Sequence, residues 1–246
     1  MERLFESKVV LVTSAASAIG VAVAFSYAAN GAFVIVSDIV DNETVNKIKA
    51  NGGNAIFMKS NVSNPLECKK LIEKITSIYG RIDIAFNNAG IVTNTLALID
   101  TCLGGILKLI SPKTNSIFYC MKYEIEAMRE HRGGVIINLS SLMGSISPEL
   151  PYTFSSHKQG VSCIQNEMRK NSGKAIRINC IVPGFIDTVL PHSFNLKSKH
   201  EISLKNKKEG TKKPEQIAEL VMWLSSEKAT VSTINSFPEY VGYIAN

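Results

Sequence analysis

The run Val135-Ile136-Ile137-Asn138-Leu139 constrains this chain more than any other stretch. Apolar and mostly β-branched on both alternating faces, it suits a strand covered on both sides, and such strands belong to parallel sheets flanked by helices. It delivers Ser140 and Ser141 at its carboxyl end, the edge of an open parallel sheet where ligands sit. Short apolar runs of strand type also lie at 8–13, 32–38, 55–58, 82–86 and 175–182. Segments of helical type fall between them at 21–30, 41–51, 65–80, 115–124 and 213–224. Gly104-Gly105 and Pro112 interrupt what would otherwise be a longer helix leading into 115–124.

Asn138-x-Ser140-Ser141-x-x-Gly144 is followed, thirteen residues after Ser141, by Phe154, and four further on by Lys158, Gly160 and Val161 completing the run. This pattern resembles the short-chain dehydrogenase/reductase family, whose three catalytic positions are Ser, Tyr and Lys. On that resemblance Ser141 and Lys158 keep their places, and Phe154 stands where the tyrosine is expected. A second register gives the tyrosine role to Tyr152, whose partner four residues on is then Ser156, with Lys158 six residues on. Four residues turn a helix by about 400°, nearly the same face, whereas six turn it by about 600°. Tyr152 is thus an alternative donor that needs a local rearrangement.

The resemblance covers essentially the whole chain and implies an α/β fold: one Rossmann-type, doubly wound, mostly parallel sheet of about seven strands with helices on both faces, filling 1–246 as a single domain. It also implies a nicotinamide dinucleotide. The family's phosphate loop is T-G-x-x-x-G-x-G, and this chain reads Thr13-Ser14-Ala15-Ala16-Ser17-Ala18-Ile19-Gly20, with Ser14 and Ala18 where glycines are expected. A positive φ at Ser14 would cost about 1 to 2 kcal/mol, and the Ala18 methyl would push a phosphate outward. A serine hydroxyl and the first amides of a helix still offer donors there.

Asp38 ends the second strand, eighteen residues past Gly20. Its carboxylate suits a ribose 2′-hydroxyl and repels a 2′-phosphate, so NAD(H) is favoured over NADP(H). In the family's terms Asn61-Val62 lies beside the adenine, and Asn87-Asn88-Ala89-Gly90 packs the middle of the sheet and lines the ribose. Lys158 grips the ribose, and Pro183-Gly184 through Ile186 to Thr188 holds the carboxamide. Lys113 replaces the family's relay asparagine, and Asn115 is a poor substitute about 200° round the helix.

Residues 189–211 are polar and aperiodic, longer than an ordinary connection, and are expected to form a substrate lid. Between Lys197 and Lys213 seven lysines stand against Glu201 and Glu209, while the whole chain carries a net charge of +6. Such a segment steers anionic groups, but without interleaved aromatics it does not suggest nucleic acid. No run of about twenty apolar residues suggests a membrane span, and no leader-like segment precedes the first strand, so a cytoplasmic protein is expected. Cys68, Cys102, Cys120, Cys163 and Cys180 form no C-x-x-C pair, and the four histidines no metal-like spacing.

Two functions follow from the resemblance. One is an NAD(H)-dependent oxidoreductase of an alcohol/ketone pair, impaired by Phe154, acting on a small molecule that is anionic if the lysine-rich lid recruits it, and assembled as a homodimer or homotetramer. The other is a catalytically inactive nucleotide-binding or protein-interaction scaffold.

Overall fold

The computed structural model describes residues 3–88, 103–140, 160–161, 163–168, 170, 172–173, 175–184, 186, 212–233 and 235–239, with side chains described throughout except at 103–113, 238 and 239. Its strands are β1 (Val9–Thr13), β2 (Phe33–Asp38), β3 (Asn54–Lys59), β4 (Ile84–Asn87), β5 (Gly134–Leu139), β6 (Ile176–Pro183) and β7 (Ser236–Glu239). They form one sheet in the order β3-β2-β1-β4-β5-β6-β7, and every pair is parallel. The chain winds outward from β1 to β3, then returns to lay β4 on the other side of β1. That reversal opens a crevice above the carboxyl ends of β1 and β4, the place where doubly wound sheets take ligands.

Alternation along the strands explains why both faces are covered. Val10, Val12, Val34, Val36, Ile84, Phe86 and Ile137 join one core with helices α1 (Ala18–Ala29), α2 (Thr44–Ala50) and α5 (Pro214–Ser225). Leu11, Ile35, Ala85, Ile136 and Ile178 join the other with α3 (Pro65–Tyr79) and α4 (Leu103–Glu130). Period-two side chains on strands buried from both sides therefore fill two cores rather than one. No described helix is long and apolar enough to cross a membrane.

Local chemistry sets the helix ends. The Asn64 side chain accepts from the amides of Leu66 and Glu67, Pro65 occupies the first position of α3, and Gly80 closes it in the left-handed region at φ 75°. Two boundaries differ from expectation. α1 begins at Ala18 rather than Val21, because Ser17 is extended and its side chain caps the Gly20 amide. α4 runs unbroken from Leu103, through Gly104, Gly105 and Pro112. The glycines lie in its first turn, where amides have no helical acceptor in any case. Pro112 removes one internal hydrogen bond at a cost of about 3 kcal/mol. The packing of Ile117, Met121, Ile125 and Met128 into the sheet and α3 offsets it. The last strand falls at Ser236–Glu239.

Ile35 is fully buried at the centre of β2. Ile35→Ala should cost about 2 to 5 kcal/mol, read as a lower midpoint in chemical denaturation; an unchanged midpoint would show that β2 is not part of the cooperative core.

Candidate functional site

Above the β1/β4 junction, the Thr13–Gly20 turn is tied down from three sides. Thr13, the last residue of β1, donates its hydroxyl to the Phe86 carbonyl at 3.4 Å and accepts from the Asn88 amide at 3.3 Å. Ser14 adopts φ 47°, the left-handed conformation that makes glycine the usual residue and costs a serine about 1 to 2 kcal/mol. The Asn88 side-chain amide stabilises that conformation by donating to the Ser14 carbonyl at 2.9 Å and to Ser17 Oγ at 2.7 Å. From β2, the Ser37 carbonyl accepts from Ala15 N at 3.1 Å and Asp38 Oδ2 from Ala16 N at 2.8 Å.

Gly20 is the glycine this turn cannot replace. A Cβ there would lie 2.7 Å from Ala15 Cα, 2.8 Å from the Ser14 carbonyl oxygen and 2.9 Å from Asn88 Nδ2. Ile19 turns its side chain into the core, whereas Ala18 is exposed at the rim. The Ala18 and Ile19 amides stand at the positive end of α1, with no acceptor inside the helix. Two such donors and an exposed serine fit the phosphates of a dinucleotide.

Asp38 closes the adjoining wall. Its Oδ1 accepts from the Ile39 amide at 2.7 Å and its Oδ2 from Ala16, leaving each oxygen a further lone pair for a ribose hydroxyl. The exposed side chains next in sequence are Ile39 and Val40, which carry no charge. Asn61 is otherwise engaged: its side-chain oxygen accepts from Ser63 N at 3.1 Å and Ser63 Oγ at 2.7 Å, forming a local turn. Val62 packs into the core beneath, so that segment can offer a base its backbone rather than these side-chain atoms.

Asn87 and Asn88 separate in role. Asn88 holds the loop, a role that its position in the Asn87-Asn88 pair does not distinguish from that of its neighbour. Asn87 points down into a fully buried polar cluster, donating to Glu124 Oε2 at 2.9 Å and Asn138 Oδ1 at 3.1 Å. Asn138 in turn donates to Gln165 Oε1 at 3.4 Å and contacts Met121 Sδ at 3.1 Å. Burial raises the Glu124 carboxyl to about 8, an effect reduced by the Asn87 hydrogen bond. Glu124 and Gln165 went unnoticed in the sequence; a lone Glu in the inward stripe Ile117, Met121, Ile125, Met128 was the available signal.

Pro183 ends β6 opposite Glu239, Gly184 follows, and Ile186 is buried and bridges to Lys212. Ser140 follows β5 and is buried, its amide donating to the Ile181 carbonyl at 2.8 Å. Ser141, Tyr152, Phe154, Lys158, Ala89, Gly90, Thr188 and the 189–211 segment lie outside the described residues.

Residues 8–199 match the short chain dehydrogenase family. The chain belongs to that family. It is 32% identical over 240 residues to a cyclohexanol dehydrogenase of Acinetobacter sp. (strain SE19), covering 95% of this chain and 93% of that protein. It is 30% identical over 232 residues to a 3-oxoacyl-acyl-carrier-protein reductase of Thermotoga maritima, covering 93% and 94%. The fold matches the crystal structure of gox2181 with a TM-score of 0.90 at 24% identity, over 97% of this chain and 96% of that one, a likeness of fold. This short-chain dehydrogenase is accordingly an oxidoreductase by family, and the family's cofactors are nicotinamide dinucleotides.

For this short-chain dehydrogenase, Gly20→Ala should destabilise the turn by about 1 to 3 kcal/mol, because the methyl meets backbone rather than a flexible side chain. A thermal melt checks it; an unshifted midpoint would contradict the packing described.

Proposed function

We propose that the chain is an NAD(H)-preferring oxidoreductase of a small-molecule alcohol/ketone pair, slowed by the absence of the family's tyrosine. The observation that carries the cofactor preference is Asp38. Its carboxylate is held beside the phosphate turn by the Ala16 and Ile39 amides, next to uncharged Ile39 and Val40. A fixed anion there favours a ribose hydroxyl and disfavours a 2′-phosphate.

When bound, NAD(H) supplies or takes the hydride. In the family-like register Ser141 polarises the substrate oxygen, Lys158 holds the ribose, and Phe154 has no proton to give. Loss of a general acid typically lowers rate by about 10² to 10⁴, roughly 3 to 5 kcal/mol of barrier. Relatives named for cyclohexanol and for 3-oxoacyl-acyl-carrier-protein make secondary alcohols and acyl-carrier ketones the first substrates to try. The lysine-rich 197–213 segment suits an anionic substrate. The reading includes one domain over 1–246, a lid at 189–211 and a homodimer or homotetramer.

A second reading, a nucleotide-binding scaffold without turnover, is favoured by Phe154 and Lys113 together, since both replace residues that move the proton.

Titrating NADH and NADPH while assaying cyclohexanol and 3-oxoacyl substrates separates the two. We expect NADH to bind at least about tenfold more tightly than NADPH, which corresponds to about 1.4 kcal/mol, and Phe154→Tyr to raise turnover by about 10² or more. Wild-type turnover abolished by Tyr152→Phe would assign the proton to Tyr152 instead. NADH binding with no turnover in either the wild type or Phe154→Tyr favours the scaffold.

A further inference from the structure

The buried cluster under the Asn87-Asn88 turn contains an imbalance that points to its chemical state. Asn87, Glu124, Asn138 and Gln165 are each 0% exposed, and they tie β4, α4, β5 and the helical residues of 160–172 together at the sheet's carboxyl end. Among the described residues three of their polar atoms have no partner: Asn87 Oδ1, Glu124 Oε1 and Gln165 Nε2. Two of the three are acceptors, and they belong to the two side chains already joined by Asn87 Nδ2 and Glu124 Oε2 at 2.9 Å. A carboxylate would leave both acceptors unsatisfied and, among the described residues, an anion buried without a cation, which is strongly unfavourable. A proton on Oε1 turns one of those acceptors into the donor the other lacks. Amide and acid can then pair through two hydrogen bonds, N–H to one carboxyl oxygen and O–H to the amide oxygen.

We propose that Glu124 is a positioning residue of the dinucleotide site, working as a neutral acid that pairs with the Asn87 amide and so fixes the turn from which Asn88 holds Ser14 and Ser17. This rests on the dinucleotide reading for its effect on binding, but not for the acid pair itself. The raised carboxyl described above agrees with the neutral form at pH 7. Among the described residues the titratable group facing Glu124 is the thiol of Cys120 on its own helix, which in turn lies 3.7 Å from the Cys68 sulfur of α3. Its hydrogen bond with Cys68, together with burial, holds the Cys120 thiol well above its ordinary range, so it stays neutral. Among the described residues β4 and β5 offer only the amides of Asn87 and Asn138, and the 160–172 segment only Gln165.

The sign of the pH dependence follows. A carboxyl raised in the folded state from 4.5 to about 8 binds a proton in the fold that the unfolded chain has lost. Its stabilisation is complete below about pH 4.5, declines as pH rises, and is gone above about pH 8. Glutamine mimics the neutral acid, offering Asn87 one donor and one acceptor, and does not titrate.

Melting curves of wild type and Glu124→Gln from pH 5 to pH 9 without nucleotide, together with NADH titrations near pH 6.5 and pH 9, test this. We expect the wild-type melting temperature to fall steadily relative to Glu124→Gln up to about pH 8 and then run parallel to it. NADH affinity should weaken by about tenfold in wild type between the two pH values, and stay within about twofold in Glu124→Gln. Glu124→Leu, which removes the acid from the pair at every pH and leaves Asn87 its hydrogen bond to Asn138, should bind NADH about tenfold more weakly at both. Should the glutamine variant not fold, a protonated-carboxyl carbonyl stretch in the wild-type infrared spectrum at pH 7, lost above pH 9, supports the neutral acid, and its absence overturns it. Parallel melting curves throughout overturn the acid pair. Diverging curves with NADH affinity indifferent to pH and to both substitutions overturn the positioning role. Diverging curves with no NADH binding at any pH leave the pair standing and overturn the dinucleotide reading.

Discussion

Asn88 donates one side-chain amide to two oxygens of the neighbouring strand's turn, the Ser14 carbonyl and Ser17 Oγ, and the crevice depends on that bridge. It stabilises Ser14 in a conformation that a serine resists, and it aims the Ser17 cap at the Gly20 amide so that α1 starts at Ala18. The turn then comes so close to α1 that position 20 has no room for a Cβ. Asp38 completes the clamp from β2. The family's glycine at position 14 can therefore be absent while the turn survives, because the Asn88 hydrogen bond stabilises Ser14 in the conformation that glycine adopts freely; Ala18 is helical and needs no such freedom.

The sheet was legible because its strands are buried on both faces and end in recognisable turns. Val135–Leu139 and Asn64-Pro65 through Gly80 announce a strand and a helix by composition alone, and the structure places them as read. α4 was misjudged at Gly104, Gly105 and Pro112, where local propensity argued for a break and the buried stripe from Ile117 to Met128 prevailed. The site was legible in its backbone and less so in its side chains. Gly20, Asp38 and the Asn87-Asn88 pair stood out by spacing. Which asparagine holds the loop, and that the Asn61 oxygen would turn to Ser63, depends on side-chain directions that no spacing encodes. Glu124 escaped notice because a single carboxyl among apolar residues is recognisable as buried only once its neighbours are in place.

Chemistry and scaffold diverge in this chain. The strand ends, the turn and the Asp38 wall keep the features a nicotinamide dinucleotide needs, whereas in the proposed reading Phe154 and Lys113 stand where the family's proton-moving residues are expected. Binding relies on amides, a helix end and one carboxylate, most of which belong to the backbone and tolerate sequence drift. Proton transfer in the family relies on one ionisable hydroxyl and, in the proposed reading, is slowed where that hydroxyl is missing.

We infer that the Thr13–Gly20 turn and its Asn88 bridge form the dinucleotide site. Amide hydrogen exchange with and without NADH tests this most directly. Exchange should slow at Ala18, Ile19, Gly20 and Asn88 on adding NADH. Exchange unchanged at those amides, or slowed only in the lysine-rich 197–213 segment, would overturn that assignment.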